Sequence, residues 1–476
     1  MGQRHLDRLT AVDAGFLHEE DRGAAHMQIG VLVLLDGPLP ALHDVRRTLA
    51  ARLLNLPRYR QRLLPTPLGL ARPVWADDPA FDIDHHVLLR HLPSPGTFDQ
   101  LLELTGELMS QRLERRRSMW QLHLVDGLEG GRSAIVARTH HALVDGVGGM
   151  DLLAALFDAE PAPAQPSPAE PSGHAESGPA VQPEPHPSPL TLLVKAAVDS
   201  TRIATDMSAA ILNRLRQPEL ALRDATWAMA GLAGVAGKFV NSAPRSVLNI
   251  PVGSMRLVAT VSRPLAEVKA VKSALGGTVN DVCLAAVAGA LRTFLAERGD
   301  QSIEQPEAGR FRAMIPVSIR QGTGRQELGN KLVAMVAALP VDVGDARARL
   351  QAVRDTTARL KASPEQDGAA FLAAVEELAP PQVVAQASRL NFSSRLYNLM
   401  VTNIAGPQFP IYLLGRRVER IYPLGFLGTH HNLCVAILSY DGEINVGLLG
   451  DREAVPDIAR VASHLEHAFD ELRDAV

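Results

Sequence analysis

A proline-rich segment divides this chain of 476 residues. Residues 159–189 are about one-third proline, mixed with Ala, Ser and Glu, and they contain no Phe, Trp or Tyr. Such a composition cannot bury enough surface to offset the entropy of ordering the chain, so we expect a disordered, solvated linker. The linker predicts an N-terminal domain over residues 1–158 and a second folded part after it.

The composition is that of a globular protein, with 46% hydrophobic and 21% charged residues. A net charge of −4, without a basic stripe interleaved with aromatics, argues against nucleic acid as a partner. The first residues lack the apolar core of a signal peptide, and no stretch reaches the ~20 apolar residues of a spanning helix. The sequence therefore predicts a cytoplasmic protein, with peripheral contact to the plasma membrane or a lipid droplet left open. Cys283 and Cys434 lie in apolar runs and predict two buried, reduced thiols.

Helix and strand patterns alternate on both sides of the linker. Residues 190–245 carry apolar side chains at helical spacing and predict a helical connection, which either bridges the two halves or lies on a lipid surface. Strand patterns recur through residues 246–476, which we expect to form the C-terminal domain. The fold class is therefore α/β in the α+β sense, with one mixed sheet and flanking helices in each half.

The stretch "RTHHALVDGVGG", residues 138–149, carries the candidate chemistry. His140 and His141 follow a predicted strand, and neighbouring side chains on a strand point to opposite faces. Only one of the two can then face a reaction centre. Metal-binding pairs on strands need alternate positions instead, so the pattern argues against a metal site.

Two interpretations of this stretch stay open from spacing alone. A neutral imidazole can take a proton from a hydroxyl at physiological pH, and Asp145 and Gly146 form a turn where glycine lets other groups approach. The stretch would then be a loop for general base catalysis. The alternative is a polar turn that ends a strand. Paired histidines also occur in "DHH" at 84–86 and "THH" at 429–431, without a following Asp-Gly, so such a pair alone does not indicate catalysis.

Longer blocks resemble a known family. "HHALVDG" matches HHxxxDG, the signature of the CoA-dependent acyltransferase superfamily. "RLTAVDAGFLHEE", "TVNDVCLAAVAGALRTFL", "LGNKLVAMVAALP" and "VTNIAGPQFPIYLLG" resemble the bacterial wax ester synthase/diacylglycerol acyltransferase family. These blocks follow the family order over nearly the whole chain, the proline-rich linker excepted.

The resemblance implies a fold and a reaction. The fold would be two chloramphenicol-acetyltransferase-like domains with an active-site channel at their interface. The reaction would move a long-chain fatty acyl group from acyl-CoA to the hydroxyl of diacylglycerol or of a long-chain alcohol. Acyl-CoA would be a co-substrate, and no metal or bound cofactor is implied.

The resemblance also implies roles for residues of the HHxxxDG stretch. His141 would be the base that deprotonates the acceptor hydroxyl, and His140 a structural, hydrogen-bonding histidine. Asp145 would hold the loop through an ion pair with an arginine that the sequence does not identify. Gly146 would leave room for substrate.

A second element of the family matches Asn280 and Asp281. Asn280 would donate to the developing oxyanion, although an asparagine at a helix start is explained equally well as an N-cap. Asp281 lies in the first predicted helical turn and would be a partner of the helix dipole or a member of a structural ion pair.

The chain departs from the family at two places. Where a Pro-Leu-Trp-Glu block is usual, Trp120 is kept as a core or channel-wall residue, but Met119 and Gln121 replace the leucine and the glutamate. "TNIAGP" replaces Ser-Asn-Val-Pro-Gly-Pro and keeps Asn403. These departures bear on acceptor preference and efficiency more than on reaction class.

Two other functions remain as alternatives. One is a condensation-type or acyl-shuttling enzyme that uses a carrier-bound acyl group, which the lack of carrier or adenylation segments within this chain disfavours. The other is a non-catalytic relative that binds lipid surfaces, which the intact His141 and Asp145 disfavour. Acceptor preference, acyl-chain length and oligomeric state do not follow from the sequence.

Overall fold

The computed structural model of the protein describes residues 7–144, 151–161, 187–188, 190–195, 198, 201, 242–303, 310–319, 331–362 and 381–476. Asp145 and Gly146 lie outside these residues. So do most of the predicted linker and most of the predicted helical connection. The expectations for these parts of the chain stay predictions.

The first sheet has six strands and mixes parallel with antiparallel pairs. Only its outermost pair, β4 with β5, is parallel. In spatial order its strands are β11 (Tyr412–Leu413), β12 (Arg416–Leu424), β1 (Gln28–Leu35), β6 (Arg132–His140), β5 (Trp120–Leu128) and β4 (Val87–His91). A separate antiparallel hairpin joins β2 (Gln61–Leu64) to β3 (Val74–Asp77).

The second sheet also has six strands. In spatial order they are β7 (Arg256–Pro264), β14 (Glu443–Asp451), β13 (Leu433–Tyr440), β10 (Leu399–Ala405), β8 (Arg312–Ile319) and β9 (Lys331–Ala338). β10 runs parallel to both of its neighbours, whereas the other pairs are antiparallel. Two mixed sheets with flanking helices are what the sequence predicts, and the fold class is confirmed.

Two strands cross the predicted boundary between the two halves. β12 belongs by sequence to the predicted domain 246–476, yet it pairs antiparallel with β1 in the first sheet, with Leu32 opposite Tyr422. The alternation that marks a half-buried strand is interrupted by charged residues in "RRVERIYPL", so its place beside β1 is set by tertiary pairing. The division into 1–158 and 246–476 therefore needs this correction: β11 and β12 complete the N-terminal sheet.

Helices flank both sheets. Those that the structure describes are α1 (Ala11–Glu20), α2 (Leu42–Arg52), α3 (Phe98–Ser110), α4 (Asp151–Leu156), α5 (Leu265–Leu275), α6 (Val279–Glu297), α7 (Ala346–Ala362), α8 (Pro381–Asn391) and α9 (Ile458–Asp474). α6 has the length and apolar composition of a membrane span, but 72% of its most apolar window is buried inside the protein. It packs against α7 and α9 as the central helix of the C-terminal core.

The stretch "TFDQLLELTGELMSQRLERRR", residues 97–117, has the apolar spacing of an amphipathic helix, but α3 is shorter than this pattern predicts. It starts at a capping box in which Thr97 accepts from the Gln100 amide and the Gln100 side chain accepts from Thr97. It ends at Ser110, because Gln111 turns to an extended conformation. The arginines that follow leave the helix and bind the end of α1 instead.

The two sheets are joined by an apolar layer that we call the interdomain cluster. It draws buried side chains from α1, α3 and the strands of both sheets, namely Phe16, Ala25, Met27, Met109, Val252, Val258, Met400, Leu424, Phe426, Leu427, Cys434 and Leu449. Cys434 is buried here and Cys283 lies in the core around α6, and both thiols are free, as predicted. Burial raises the pKa of each thiol to about 12, so neither is a nucleophile at neutral pH.

The close approach of α3 to β7 holds the two halves together beside this cluster. A Cβ on Gly106 would stand 2.7 Å from the carbonyl oxygen of Arg256, so only glycine permits this approach. One turn later, the Ser110 hydroxyl accepts from the Arg256 amide at 2.7 Å. The helix of one half therefore packs directly on the backbone of the other.

Candidate active site

The candidate loop starts where β6 ends. β6 lies between β1 and β5, and His140 stands opposite Gln28 in the antiparallel ladder. His141 opens a 3₁₀ turn over His141–Leu143, and its amide donates to the carbonyl of Met27 at 2.7 Å. Backbone hydrogen bonds on a central strand therefore fix the position of both histidines.

The two imidazole rings face different surroundings, as alternation along a strand predicts. His140 is 1% exposed, and its Nδ1 accepts from the amide of Ala142 at 3.1 Å. Its Nε2 lies 3.6 Å from the carboxylate of Glu20, at the end of α1. His141 stays partly exposed and turns to the interdomain cluster.

The ring of His141 is held by aromatic side chains. Phe16 of α1 stacks on it, with ring centroids 3.9 Å apart and an interplanar angle of 23°. Phe426, which follows β12, meets it edge-on at 5.5 Å. Phe392 contacts both phenylalanines, at 5.6 and 6.1 Å. The candidate base therefore lies against an apolar surface supplied by both halves of the chain.

His141 is neutral at physiological pH. Burial, together with the electrostatic effect of the neighbouring His140 site, lowers the pKa of His141 to about 4, against a smaller opposing effect of its own backbone. Its Nδ1 has no hydrogen-bond partner among the described residues. The ring is thus an uncharged proton acceptor whose Nδ1 is not hydrogen-bonded by any residue that the structure describes.

Glu20 is the nearest carboxylate of the described chain to this pair. It is 3% exposed, and Arg115 donates to its Oε2 through Nε at 2.9 Å and Nη2 at 2.5 Å. Burial acts to raise the pKa of Glu20, but the interactions with His140 and Arg115 outweigh it and lower the pKa to about 2. Glu20 therefore carries a full negative charge beside His140.

Asn280 does not cap its helix. The N-cap of α6 is Thr278, whose hydroxyl accepts from the amide of Asp281 at 3.2 Å. The N-cap interpretation of Asn280 is wrong because the cap lies two residues earlier. The side chain of Asn280 instead accepts from Nδ2 of Asn403 at 2.9 Å, which joins the two family-like elements "TVND" and "TNIAGP".

Asp281 completes the capping box of α6. Its Oδ2 accepts from both the amide and the hydroxyl of Thr278 at 2.8 Å, and its Oδ1 accepts from the hydroxyl of Thr357 at 2.8 Å. A carboxylate in the first turn also complements the positive end of the helix dipole. These contacts make Asp281 structural, and among the described residues its partners are hydrogen-bond donors rather than an ion-pair partner.

The Asn280–Asn403 pair faces away from the interdomain cluster. Met400 of β10 belongs to that cluster, whereas Leu399 and Val401 pack in the core around α6. Because side chains alternate along a strand, Asn403 shares the face of Leu399 and Val401. These contacts favour a positioning role for Asn280 at the end of the second sheet, and its oxyanion role stays a prediction.

Trp120 is a core residue. It is 0% exposed, its Nε1 donates to the carbonyl of Tyr59 at 2.7 Å, and its ring stacks on His86 at 4.5 Å. Beside it, the Gln121 amide oxygen accepts from Nε of Arg138 at 3.2 Å. Gln121, which stands where the family usually has a glutamate, thus provides a neutral hydrogen-bond acceptor to the buried guanidinium of Arg138.

Several site residues carried no individual prediction. Phe16 and Glu20 lie within the block "AVDAGFLHEE", where the family resemblance was the available signal. Phe426 follows a strand whose partner is nearly 400 residues away in sequence, which no local pattern encodes. Asp145 and Gly146 lie outside the described residues, and the predicted channel stays a prediction. In the part of the chain that the structure describes, no three His, Cys, Asp or Glu side chains form a metal-binding group.

Comparison with known families matches both halves of the chain. Residues 9–283 match the wax ester synthase/diacylglycerol acyltransferase catalytic domain, and residues 328–473 match the C-terminal domain of the same family. The chain belongs to this family.

Two similar relatives from Mycobacterium tuberculosis H37Rv are named as probable diacylglycerol O-acyltransferases, tgs1 and tgs2. The first is 31% identical over 97% of this chain and 95% of its own length, the second 31% identical over 99% and 100%.

Solved structures agree with the family. The wax ester synthase/diacylglycerol acyltransferase from Marinobacter aquaeolei VT8 superposes with a TM-score of 0.63 at 25% identity, covering 98% of this chain and 99% of that one. The first condensation domain of the calcium-dependent antibiotic synthetase superposes with a TM-score of 0.58 at 16% identity, covering 100% and 98%. The latter shows the shared condensation-type fold alone. This member of the wax ester synthase/diacylglycerol acyltransferase family is an acyltransferase.

Proposed function

We propose that the protein transfers a long-chain fatty acyl group from acyl-CoA to the hydroxyl of diacylglycerol or of a long-chain alcohol, with His141 as general base. The names of the mycobacterial relatives support diacylglycerol as acceptor, and the name of the Marinobacter protein adds wax ester synthesis. Both acceptors present a hydroxyl on a long apolar molecule. One base and one apolar surface serve either of them.

The reaction needs one proton acceptor and one leaving group. Neutral His141 takes the proton of the acceptor hydroxyl while the oxygen of that hydroxyl attacks the thioester carbonyl carbon. The new C–O bond forms, the C–S bond breaks, and the CoA thiolate leaves with the proton that the imidazolium returns. The products are an oxygen ester and free CoA thiol, without any bound cofactor or metal.

The observation that carries this proposal is the placement of His141. A ring that is neutral at physiological pH lies against Phe16 and Phe426, in an apolar layer to which both halves contribute. Apolar walls bind long acyl chains, and they keep water from the thioester, which favours transfer over hydrolysis. We further propose that the protein works in the cytoplasm at a lipid surface, because its water-insoluble acceptors reside there.

The test is an acyl-transfer assay with purified protein and labelled palmitoyl-CoA. The acceptor is diolein, hexadecanol or none, and labelled lipids and free CoA thiol are both measured. We expect one thiol per ester formed, and no ester without an acceptor. His141→Ala should lower the rate by about 10²–10⁴-fold. The matched control is His85→Ala, because the His85 side chain is 51% exposed and its ion-pair partner among the described residues is Asp82.

Each arm has an outcome that contradicts the proposal. Wild-type turnover by a folded His141→Ala protein would exclude His141 as the base. Ester formation from a carrier-linked acyl group, with none from palmitoyl-CoA, would favour a condensation-type enzyme. Acyl-CoA and acceptor bound without ester formation would favour a non-catalytic lipid-binding protein.

A further inference from the structure

The second half of α1 makes three contacts, two with the candidate site and one with the loop between β12 and β13. Phe16 stacks on His141, as described above. Glu20 faces His140, and the adjacent Glu19 accepts from the amide of Thr429 at 3.1 Å. The helix thus supplies a stacking ring and two buried carboxylates, of which Glu20 lies next to the histidine pair.

The hydrogen bond of Ala142 fixes the tautomer of His140. A backbone N–H can only donate, so Nδ1 of His140 must carry a lone pair and accept. The proton of the neutral ring is therefore on Nε2, and it points at the carboxylate of Glu20. At 3.6 Å this contact is electrostatic and slightly longer than a hydrogen bond.

The surroundings of Glu20 keep its charge in place. Arg115 holds Oε2 through two nitrogen atoms, and Arg112 donates to the backbone carbonyl of Glu20 at 3.1 Å. Burial lowers the pKa of His26, in the segment before β1, to about 4, and the charge of Glu20 makes a smaller opposing contribution. A fixed anion on this side of the ring disfavours the tautomer with its proton on Nδ1.

We propose that Glu20 is a positioning residue that acts on His141 through His140. By keeping the proton of His140 on Nε2, Glu20 leaves Nδ1 free to accept from Ala142. That hydrogen bond closes the His141–Leu143 turn, which presents the ring of His141 to the interdomain cluster. The inference rests on the proposed role of His141 as base, and it adds Glu20 as the group that sets the orientation of the His141 ring.

A double-mutant cycle in the acyl-transfer assay tests whether Glu20 acts through His140. Glu20→Gln keeps the shape and removes the charge, and we expect kcat to fall by up to about 10²-fold at unchanged KM, as misplacing a base does. If the effect passes through His140, Glu20→Gln costs nothing further in a His140→Ala background. Effects on kcat that multiply, or wild-type kcat in Glu20→Gln, would overturn the proposal.

Asp300→Asn is the matched control for this cycle. Asp300 is also a buried carboxylate, 5% exposed, but its partners Ser246, Val247 and Ser302 lie in the other half of the chain. We expect Asp300→Asn to lower the melting temperature. It should leave kcat of the folded protein unchanged, both in the wild-type background and in the His140→Ala background. A kcat effect of Asp300→Asn equal to that of Glu20→Gln would overturn the proposal, because any lost buried carboxylate would then suffice.

A measurement on the wild-type protein covers the case in which Glu20→Gln does not fold. ¹⁵N shifts of labelled histidine, assigned with His140→Ala, report which nitrogen of His140 is protonated. We expect Nε2–H with unprotonated Nδ1, and Nδ1–H would overturn the proposal. Failure of the proposed function shows itself separately, as full activity of His141→Ala. An inactive His141→Ala with a multiplicative cycle would reject only the role of Glu20.

Discussion

The same three residues occur at two places in this molecule, in different structures. Thr139 and His140 end a central strand of the first sheet and His141 opens the turn after it, whereas residues 429–431, also Thr-His-His, lie in the loop between β12 and β13. In both, the second histidine stacks on an aromatic ring, at 3.9 Å for His141 on Phe16 and 4.1 Å for His431 on Tyr397. Burial is the main cause that lowers the pKa of each to about 4.

The two histidines differ in the exposure of the ring. His431 is 3% exposed, and its Nε2 donates to the carbonyl of Tyr397 at 3.1 Å. His141 is partly exposed, while Nδ1 of both rings has no hydrogen-bond partner among the described residues. A low pKa, a stacked ring and an unpartnered Nδ1 are therefore insufficient to identify a base. The distinguishing feature of His141 is a partly exposed ring beside an apolar layer to which both halves of the chain contribute.

Removing the stacking partners should separate the two sites most strongly. Tyr397 is 1% exposed, so Tyr397→Ala should cost about 3–5 kcal/mol of unfolding free energy and leave kcat of the folded protein unchanged. Phe16→Ala should misplace His141 and lower kcat by up to about 10²-fold. Urea unfolding and acyl-transfer rates measure the two effects. Full kcat in Phe16→Ala would show that the stacked ring does not orient the base.

The two histidines should be alike in their effect on acid stability. Each has a native pKa of about 4, below the ordinary value of 6.5, so protonation favours the unfolded chain. The contribution of each neutral histidine to the free energy of unfolding is fully present above pH 6.5 and is lost as the pH falls toward 4. At pH 5 the loss is about 2 kcal/mol per histidine. His141→Gln and His431→Gln should each reduce the loss of melting temperature between pH 7 and 5. An undiminished loss in His431→Gln would show that its pKa is not depressed.

A smaller effect is expected at Gly428, next to the second pair. A Cβ on this residue would lie 2.9 Å from Nδ1 of His431, whose ring is held by Tyr397. Gly428→Ala should therefore destabilise the protein by about 1–3 kcal/mol through crowding. Gly23→Ala is the control, because its Cβ would meet nothing within 4 Å. Equal melting temperatures for the two variants would mean that the loop around His431 gives way freely.

Local patterns predicted the parts of the fold that local physics decides. The two mixed sheets follow from strand patterns, and the opposite orientations of His140 and His141 follow from alternation along β6. The start of α6 also follows from a local pattern, since Thr278 and Asp281 have the spacing of a capping box, which leaves Asn280 inside the first turn.

Contacts between distant parts of the chain could not be predicted in this way. Glu19 and Thr429 are 410 positions apart, and the pairing of β12 with β1 brings their segments together. The isolated sequence "THH" at 429–431 therefore gave no sign that it lies beside α1. The partners of His141 and His431 are likewise set by tertiary packing, which buries the ring of His431 and leaves that of His141 partly exposed.

The most direct test compares kcat for acyl transfer in His141→Ala and His431→Ala, each corrected for the folded fraction. We predict a fall of about 10²–10⁴-fold for His141→Ala. For His431→Ala we predict wild-type kcat with a lower melting temperature. Wild-type kcat in His141→Ala, or an equal loss in the two variants, would contradict the assignment of His141 as the base.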